Sequence, residues 1–366
     1  RRADAPRRPV VIEDALAPQS LEGARALEAR FYSAPSMREL DRDAVFRKTW
    51  HLVGHESQIP GSGDHLAVET ALAPMLVVRG ADGTIKAFHN VCRHRAGPLA
   101  LCDGRGAKAL HCKYHGWTYT LDGELKSAPE MNPLCDFGLE GTRLHECQVA
   151  VWHGLIFIAE AGALPFAEFS AGWDAPLRSL SPAGYRFHQR IHYDVACNWK
   201  VYCDNYLEGY HVPHIHPGLN KLLDYRQYVT EAGDWFSYQY SPLESADGLY
   251  GDGDAVYYFI HPNTMLNLLP GRLQVNRVIP LGVDRCRVYF EYFYRPDDSP
   301  EGEAKRAADH EFSHQVQLED LGICEHVQRG LDTGSYVPGR LNPKRENAVH
   351  HFHELLRRAY REAGAR

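Results

Sequence analysis

No stretch of this chain approaches about eighteen consecutive apolar residues, so the sequence predicts no membrane-spanning helix. The arginine pairs of "RRADAPRR" at its start lead into no apolar run, which argues against a secretory signal, and the missing initial Met reads as a trimmed N-terminus. Basic charge is also short. The formal net charge is −7 and no basic cluster concentrates locally, which excludes nucleic acid as the main partner. Nine cysteines among 366 residues are too few for a disulfide scaffold, and their number is odd. The expectation is a cytoplasmic protein in a reducing compartment, where Cys and His brought together serve metals. Cys102, Cys135, Cys147, Cys286 and Cys324 are expected to be buried free thiols. There is no internal repeat and no low-complexity tract. "GRGAKAL" and "GDGDAV" lack the full G-x-G-x-x-G fingerprint, so the chain offers no nicotinamide or flavin site of its own. What remains is 44% hydrophobic and 24% charged, a soluble globular composition long enough for two domains.

Between about residues 50 and 158, short β-like runs alternate with turn signals, as in "MLVVRG" then "ADG", or "WTYT" then "LDG". Within this β region lie Cys92-Arg-His94 and Cys112-Lys-Tyr-His115, two thiols and two imidazoles on two turns. Structural zinc accepts a Cys2His2 set tetrahedrally. A Rieske [2Fe–2S] cluster takes the same residues differently, with both Cys on one iron and both His on the other. Zinc fingers usually pair Cys with Cys and His with His along the chain. Here each turn supplies one of each, which suits the two-iron reading.

A second constellation follows in "NWKVYCDNYLEGYHVPHIHPG". The segment up to His211 reads as a helix, with Val201, Tyr202, Asn205, Tyr206 and Gly209 at three- and four-residue steps, and Glu208 and His211 on one face. Pro213 ends that pattern, and either His214 or His216 beyond it can return toward His211. Two imidazoles and one carboxylate make the facial triad of non-haem Fe(II) oxygenases. The carboxylate is sought in "EFSHQVQLEDLGICEHVQRGL", a predicted long helix whose apolar stripe is Phe312, Val316, Ile323 and Val327. Glu319 and Asp320 flank that stripe, and periodicity does not choose between them.

"CRHRAGPLA…CKYHGWTYTLDG" and "NWK…DNYLEGYHVPHIHP" resemble the two metal motifs of the Rieske non-haem iron oxygenases, in their alpha (oxygenase) subunit. The resemblance extends from about residue 30 to "HHFH" near residue 350. It implies Cys92, His94, Cys112 and His115 as cluster ligands, and His211, His216 and Asp320 as ligands of a mononuclear iron, leaving His214 aside. It gives Glu208 a linking role, joining His211 to a cluster histidine, His115, of a neighbouring subunit. Asp204 is the fallback for that role and Asn205 a candidate neighbour of the iron site. Most members carry Asp where this chain has Glu208, while some quaternary-amine members carry Glu.

The implied fold is α+β: a Rieske β domain inserted in a helix-grip catalytic domain, an antiparallel sheet wrapped on a long C-terminal helix. The expected boundaries are an N-terminal segment at 1–45 packing on the catalytic domain, the Rieske domain at 46–160 and the catalytic domain at 161–366. The resemblance further implies a head-to-tail homotrimer, O2 as co-substrate, and electrons drawn ultimately from NAD(P)H through a separate flavin and iron–sulfur reductase. Within the family the likeness is to quaternary-ammonium oxygenases, which suggests hydroxylation or N-dealkylation of a quaternary or tertiary amine. An aromatic-ring or aromatic-acid oxygenase uses the same metal residues, and a non-catalytic Rieske electron carrier would need only the first set. An aromatic cage for an ammonium group would draw on Trp235, Phe236, Tyr238, Tyr240, Tyr257 and Tyr258, although aromatics alternating along strands are more often core.

Overall fold

The computed structural model describes residues 15–131, 138–177, 180–243 and 248–365. Strands β1 (His51–His55), β2 (His65–Glu69), β3 (Pro74–Arg79), β4 (Ile85–His89), β8 (Glu146–Trp152) and β9 (Leu155–Ala159) form an antiparallel sheet in the order β1-β9-β8-β4-β3-β2. Between β4 and β8, three short strands make a separate small sheet: β5 (Leu110–His111), β6 (Thr118–Tyr119) and β7 (Leu125–Ser127). Its connections carry Cys92, His94, Cys112 and His115.

The second half is a seven-stranded antiparallel sheet. It contains β10 (Arg186–Val195), β11 (Val229–Ala232), β12 (Phe236–Pro242), β13 (Asp254–Ile260), β14 (Thr264–Leu269), β15 (Arg272–Pro280) and β16 (Cys286–Tyr294), in the order β10-β16-β15-β14-β13-β12-β11. Every residue of β14 is buried, and all of β15 except Pro280, because both faces are covered. The helices are α1 (Arg30–Ser33), α2 (Met37–Leu40), α3 (Phe166–Phe169), α4 (Trp199–Tyr206), α5 (Val212–Ile215), α6 (Pro217–Asn220), α7 (Pro300–Asp332) and α8 (Asn347–Glu362). Among the described residues, no helix is long and apolar enough to cross a membrane. The sheet and the long helix form the mixed architecture expected of a Rieske oxygenase alpha subunit.

From residue 15 onward the N-terminal segment packs against α4 and α8. Phe31 stacks on Tyr360 with ring centroids 5.7 Å apart. Buried Asp41 accepts hydrogen bonds from Trp199 Nε1 (2.8 Å), Lys200 Nζ (2.5 Å) and Tyr360 Oη (2.5 Å). A buried lysine needs such a partner, since stripping its water without one is costly.

Four expectations are corrected here. The helix read through His211 stops at Tyr206. Glu208 bends its carboxylate back onto the amides of Tyr210 and His211, so a side chain takes over donors that a helix would have used. Gly209 fits this turn because a Cβ there would lie 2.6 Å from the Tyr228 ring. Pro213 stands in the first turn of the next helix, α5, where proline costs nothing, instead of ending the previous one. The apolar stripe of α7 is not its buried face. Its innermost positions are Asp309, Ser313, Gln317, Cys324, Gln328 and Leu331, whereas Val327 is 45% exposed. The polar ones are held in pairs, with Tyr202 Oη donating to Gln317 (2.7 Å) and the Asn198 amide to Gln328 (2.8 Å). Cys147, Cys286 and Cys324 are buried free thiols, but Cys102 is exposed on the surface turn that follows Leu101. Cys135 lies outside the described residues.

Candidate metal centres and substrate cavity

The first centre is built from two similar turns. The Cys92 amide donates to Gly97 O (2.8 Å) and the Cys112 amide to Trp117 O (2.8 Å), so each thiol sits at the base of a tight loop. The loops press together at Gly97, where a Cβ would lie 3.0 Å from Cys112 Sγ. Both cysteines are buried and burial raises the Cys92 pKa, while Tyr119 Oη lies 3.2 Å from its sulfur. The His94 and His115 rings meet edge to face with centroids 4.7 Å apart, and His94 also stacks on Trp117 at 4.7 Å. Nδ1 of His94 is buried and has no hydrogen-bond partner among the described residues. A buried imidazole nitrogen without a partner, beside a second imidazole and two buried thiols, fits a metal cluster. His115 is exposed, and desolvation, with the charges of His94 and Arg95, lowers its pKa.

The second centre joins three elements. Asn198 caps α4 by accepting the Lys200 amide (2.9 Å), and the last turn of that helix presents Asn205. The Glu208 turn delivers His211, α5 returns the chain to His216, and α7 supplies the carboxylates. Ligand atoms of His211, His216 and Asp320 all lie within 4.8 Å of one another. Asp320 Oδ1 is 3.0 Å from His216 Nε2 and 3.8 Å from His211 Nε2. The opposite nitrogens are engaged: His211 Nδ1 donates to Glu208 Oε1 (2.6 Å) and His216 Nδ1 to Glu319 Oε2 (2.7 Å). Carboxylates that hold the outer N–H leave the inner Nε2 lone pairs converging on one point, as metal-binding histidines require. Burial works to lower the His216 pKa, but the hydrogen bonds and charges of Asp320 and Glu319 outweigh it and raise the value. Asn205 Nδ2 donates to Asp320 Oδ1 (2.6 Å) and fixes its rotamer. The donor set and its convergence fit a single iron.

His214 points outward and is exposed. Asp204 lies away from this triad, accepting from Tyr32 Oη (2.6 Å) and His353 Nε2 (2.9 Å). Glu319, weighed beside Asp320 as the carboxylate of the triad, holds the outer nitrogen of His216 instead. Neighbouring helix residues point about 100° apart, so an acidic pair can hold one imidazole between them.

A cavity of about 120 Å³ opens on the triad. Aromatic faces of Tyr206, Tyr228, Tyr250, Tyr257, Phe290 and Phe312 line it, with Leu219, Leu222 and Leu269. Polar groups are gathered on Asn267, Arg272, Gln274 and Asn276. Buried Arg272 is neutralised by Asp309 at 2.8 Å, which also accepts from Tyr250 Oη (2.6 Å). Of the six aromatics considered for a cage, only Tyr257 lines this cavity; the others pack with the core between the two sheets, the face their strand register assigns them. A larger, more open cavity of about 710 Å³ lies beside it, lined by Tyr32, Asp204, Ile323, Val327, Tyr336 and His353. Asn205, Glu208 and His211 border both.

This pairing of sites and folds defines a two-centre oxygenase, and the chain belongs to the Rieske non-haem iron oxygenase family: residues 49–147 match the Rieske [2Fe-2S] domain and residues 182–362 the ring hydroxylating alpha subunit (catalytic domain). It is therefore an oxidoreductase that incorporates oxygen, with a Rieske cluster and a mononuclear iron as its cofactors. It is similar to the chloroplastic choline monooxygenase of Arabidopsis thaliana, at 36% identity over 362 residues, covering 92% of this chain and 83% of that protein. The carnitine monooxygenase oxygenase subunit of Escherichia coli (strain K12) is 27% identical over 357 residues, covering 93% of this chain and 95% of the subunit. Among solved structures, the quaternary ammonium Rieske monooxygenase CntA, bound to an inhibitor, superimposes with a TM-score of 0.87 at 24% identity, covering 95% of this chain and 98% of that one.

Proposed function

We propose that this chain is the terminal oxygenase component acting on a small quaternary or tertiary amine, by hydroxylation or N-dealkylation. Cys92, His94, Cys112 and His115 would hold the cluster, and His211, His216 and Asp320 the iron. Bound there, the two centres supply one-electron relay and O2 activation. The remaining work belongs to the protein. Glu208 and Glu319 hold the outer imidazole protons, Asn205 steadies Asp320, and the cavity walls keep water from the reacting carbon. Electrons would arrive from a separate reductase, ultimately from NAD(P)H, and cross a subunit boundary within a homotrimer from His115 of the partner subunit to His211 through Glu208. The buried free thiols support a reducing compartment, the cytoplasm.

One observation carries the substrate reading. The cavity wall is rich in tyrosine and phenylalanine, and two of the tyrosine hydroxyls are held by amides of the same wall, Tyr228 Oη donating to Gln239 (2.8 Å) and Tyr206 Oη to Asn267 (2.6 Å). An aromatic-lined cavity attracts a quaternary ammonium placed over its rings by about 0.5–2 kcal/mol. Choline and carnitine, after which the relatives are named, share that group. The polar cluster around Asn267 and Gln274 does not suit a bare hydrocarbon ring. Binding of choline is to be compared with its neutral tert-butyl isostere. A preference of roughly threefold to thirtyfold for the cation is expected, with amine oxidation when a reductase is supplied. Equal binding of the two, or turnover of naphthalene alone, would sink the amine reading.

A further inference from the structure

Outside both centres, the Rieske sheet gathers a third set of metal-ligating side chains. Ala87 pairs with Cys147 and Phe88 with Glu146, so His89 lies opposite His145, to which its amide donates (2.9 Å). On the other side of β8, Gln148 pairs with Ala159, which sets Glu160 opposite Cys147. Cross-strand partners share a face, and so do residues two apart on one strand. His89, His145, Cys147 and Glu160 therefore share one face by register alone.

Three of these side chains converge on one point, and His145 reaches it through Glu160. Ligand atoms of His89, Cys147 and Glu160 lie within 4.8 Å of one another, the same closeness that marks the mononuclear triad. His89 Nε2 is 2.8 Å from Glu160 Oε1 and His145 Nε2 is 2.9 Å from Glu160 Oε2, with the two rings 4.2 Å apart. Carboxylate bridging of two imidazoles could by itself be a plain hydrogen-bonded network. The buried thiol within reach of the same point adds the soft donor that such a network does not need. His145 stands half-exposed at the mouth and leaves the ion a way in.

We propose that His89, His145, Cys147 and Glu160 form a structural site for a divalent zinc-type ion. One sulfur, two imidazole nitrogens and one carboxylate oxygen make a closed tetrahedral set. On binding, the Cys147 thiol gives up its proton to solvent, and each neutral imidazole carries its proton on Nδ1 instead of Nε2, so that the freed Nε2 lone pair exchanges its Glu160 hydrogen bond for a metal bond. Burial pushes the thiol up to about 12, so close to one proton is released per ion bound at neutral pH. The ion would join β4, β8 and the exit of β9 at the base of the loop that carries Cys92 and His94. It would thus act on the rigidity of the cluster loop, and it is independent of the substrate reading.

The holoenzyme, with its irons in place, is equilibrated with zinc sulfate and gel-filtered, and retained zinc is measured by elemental analysis. About one zinc per chain is expected, with a single sulfur scatterer near ~2.3 Å at the zinc absorption edge. Glu160→Gln and Cys147→Ala should each weaken zinc retention at least about tenfold, while iron content and the Rieske resonance signal stay unchanged. His216→Ala, which empties the mononuclear site, should still retain the zinc. The proposal is overturned if no zinc survives filtration, if the absorption edge shows no sulfur, or if His216→Ala removes the zinc and Glu160→Gln does not. Should Cys147→Ala fail to fold, the near-isosteric Glu160→Gln and the absorption edge decide.

Discussion

At the scale of single residues, the mononuclear centre is held as much by groups that do not face the ion as by those that do. Glu208 uses Oε1 for His211 Nδ1 and Oε2 for two backbone amides, and each oxygen keeps further acceptor capacity. Glu208→Gln replaces one acceptor by a donor. It should keep all irons and normal reduction of the cluster yet lose most turnover with an external reductase, as single-turnover kinetics would show. Loss of the mononuclear iron instead would make Glu208 a ligand. His216→Ala should empty the mononuclear site and spare the cluster, while His214→Ala changes neither, both read by iron analysis and the Rieske resonance. Glu319→Ala should fall between them, with iron affinity lowered by roughly 10- to 100-fold. The cluster residues and His211 were legible in the sequence because their spacings are short and local. The choice of His216 over His214, and of Asp320 over Glu319, was not. It depends on how a turn closes and how a helix is rotated about its axis, and a period of 3.6 residues leaves neighbouring positions nearly equivalent.

At the scale of elements, α7 shows why hydrophobic periodicity misled. Phe312 and Val316 face the substrate cavity and Ile323 and Val327 the open one, whereas the buried face consists largely of polar side chains with partners on the sheet. Tyr292 Oη donates to Ser313 (3.0 Å), and Asp309 meets Arg272 with both oxygens. An apolar stripe signals burial against something, and here that something is a cavity. The long helix was recognisable from its length, while the end of α4 was hidden in a side chain. Asp309→Asn leaves the Arg272 charge buried without its counter-charge and should cost about 3–5 kcal/mol in urea unfolding. If the variant is as stable as the parent, the pair is not structural.

At the scale of the whole molecule, acid sensitivity follows from imidazoles sealed inside. Burial lowers the His51 pKa to about 4 and that of His261 to about 3. Both values lie below that of an unfolded histidine, so the unfolded chain takes up protons first as pH falls. Their stabilising effect is complete above about pH 6.5 and is lost progressively toward pH 4, at up to roughly 1.4 kcal/mol per pH unit and site. Urea midpoints of the parent and of His51→Gln at pH 7 and pH 5 measure this. The variant should be weaker at pH 7 but show a shallower decline, and parallel declines would remove His51 from the account. Metal-linked losses are common to both proteins and cancel in the comparison.

The iron triad stands in the wall between two cavities, and Asn205, Glu208 and His211 are the bricks that show on both sides. Such a wall has two doors. A compound filling the outer chamber never meets a substrate held in the inner one, so it should slow the enzyme without competing for that substrate, and raising the substrate concentration would not relieve it. The outer chamber, with its exposed Val327 and its Asp204–His353 pair, thus offers a place to slow the reaction while leaving the inner chamber full.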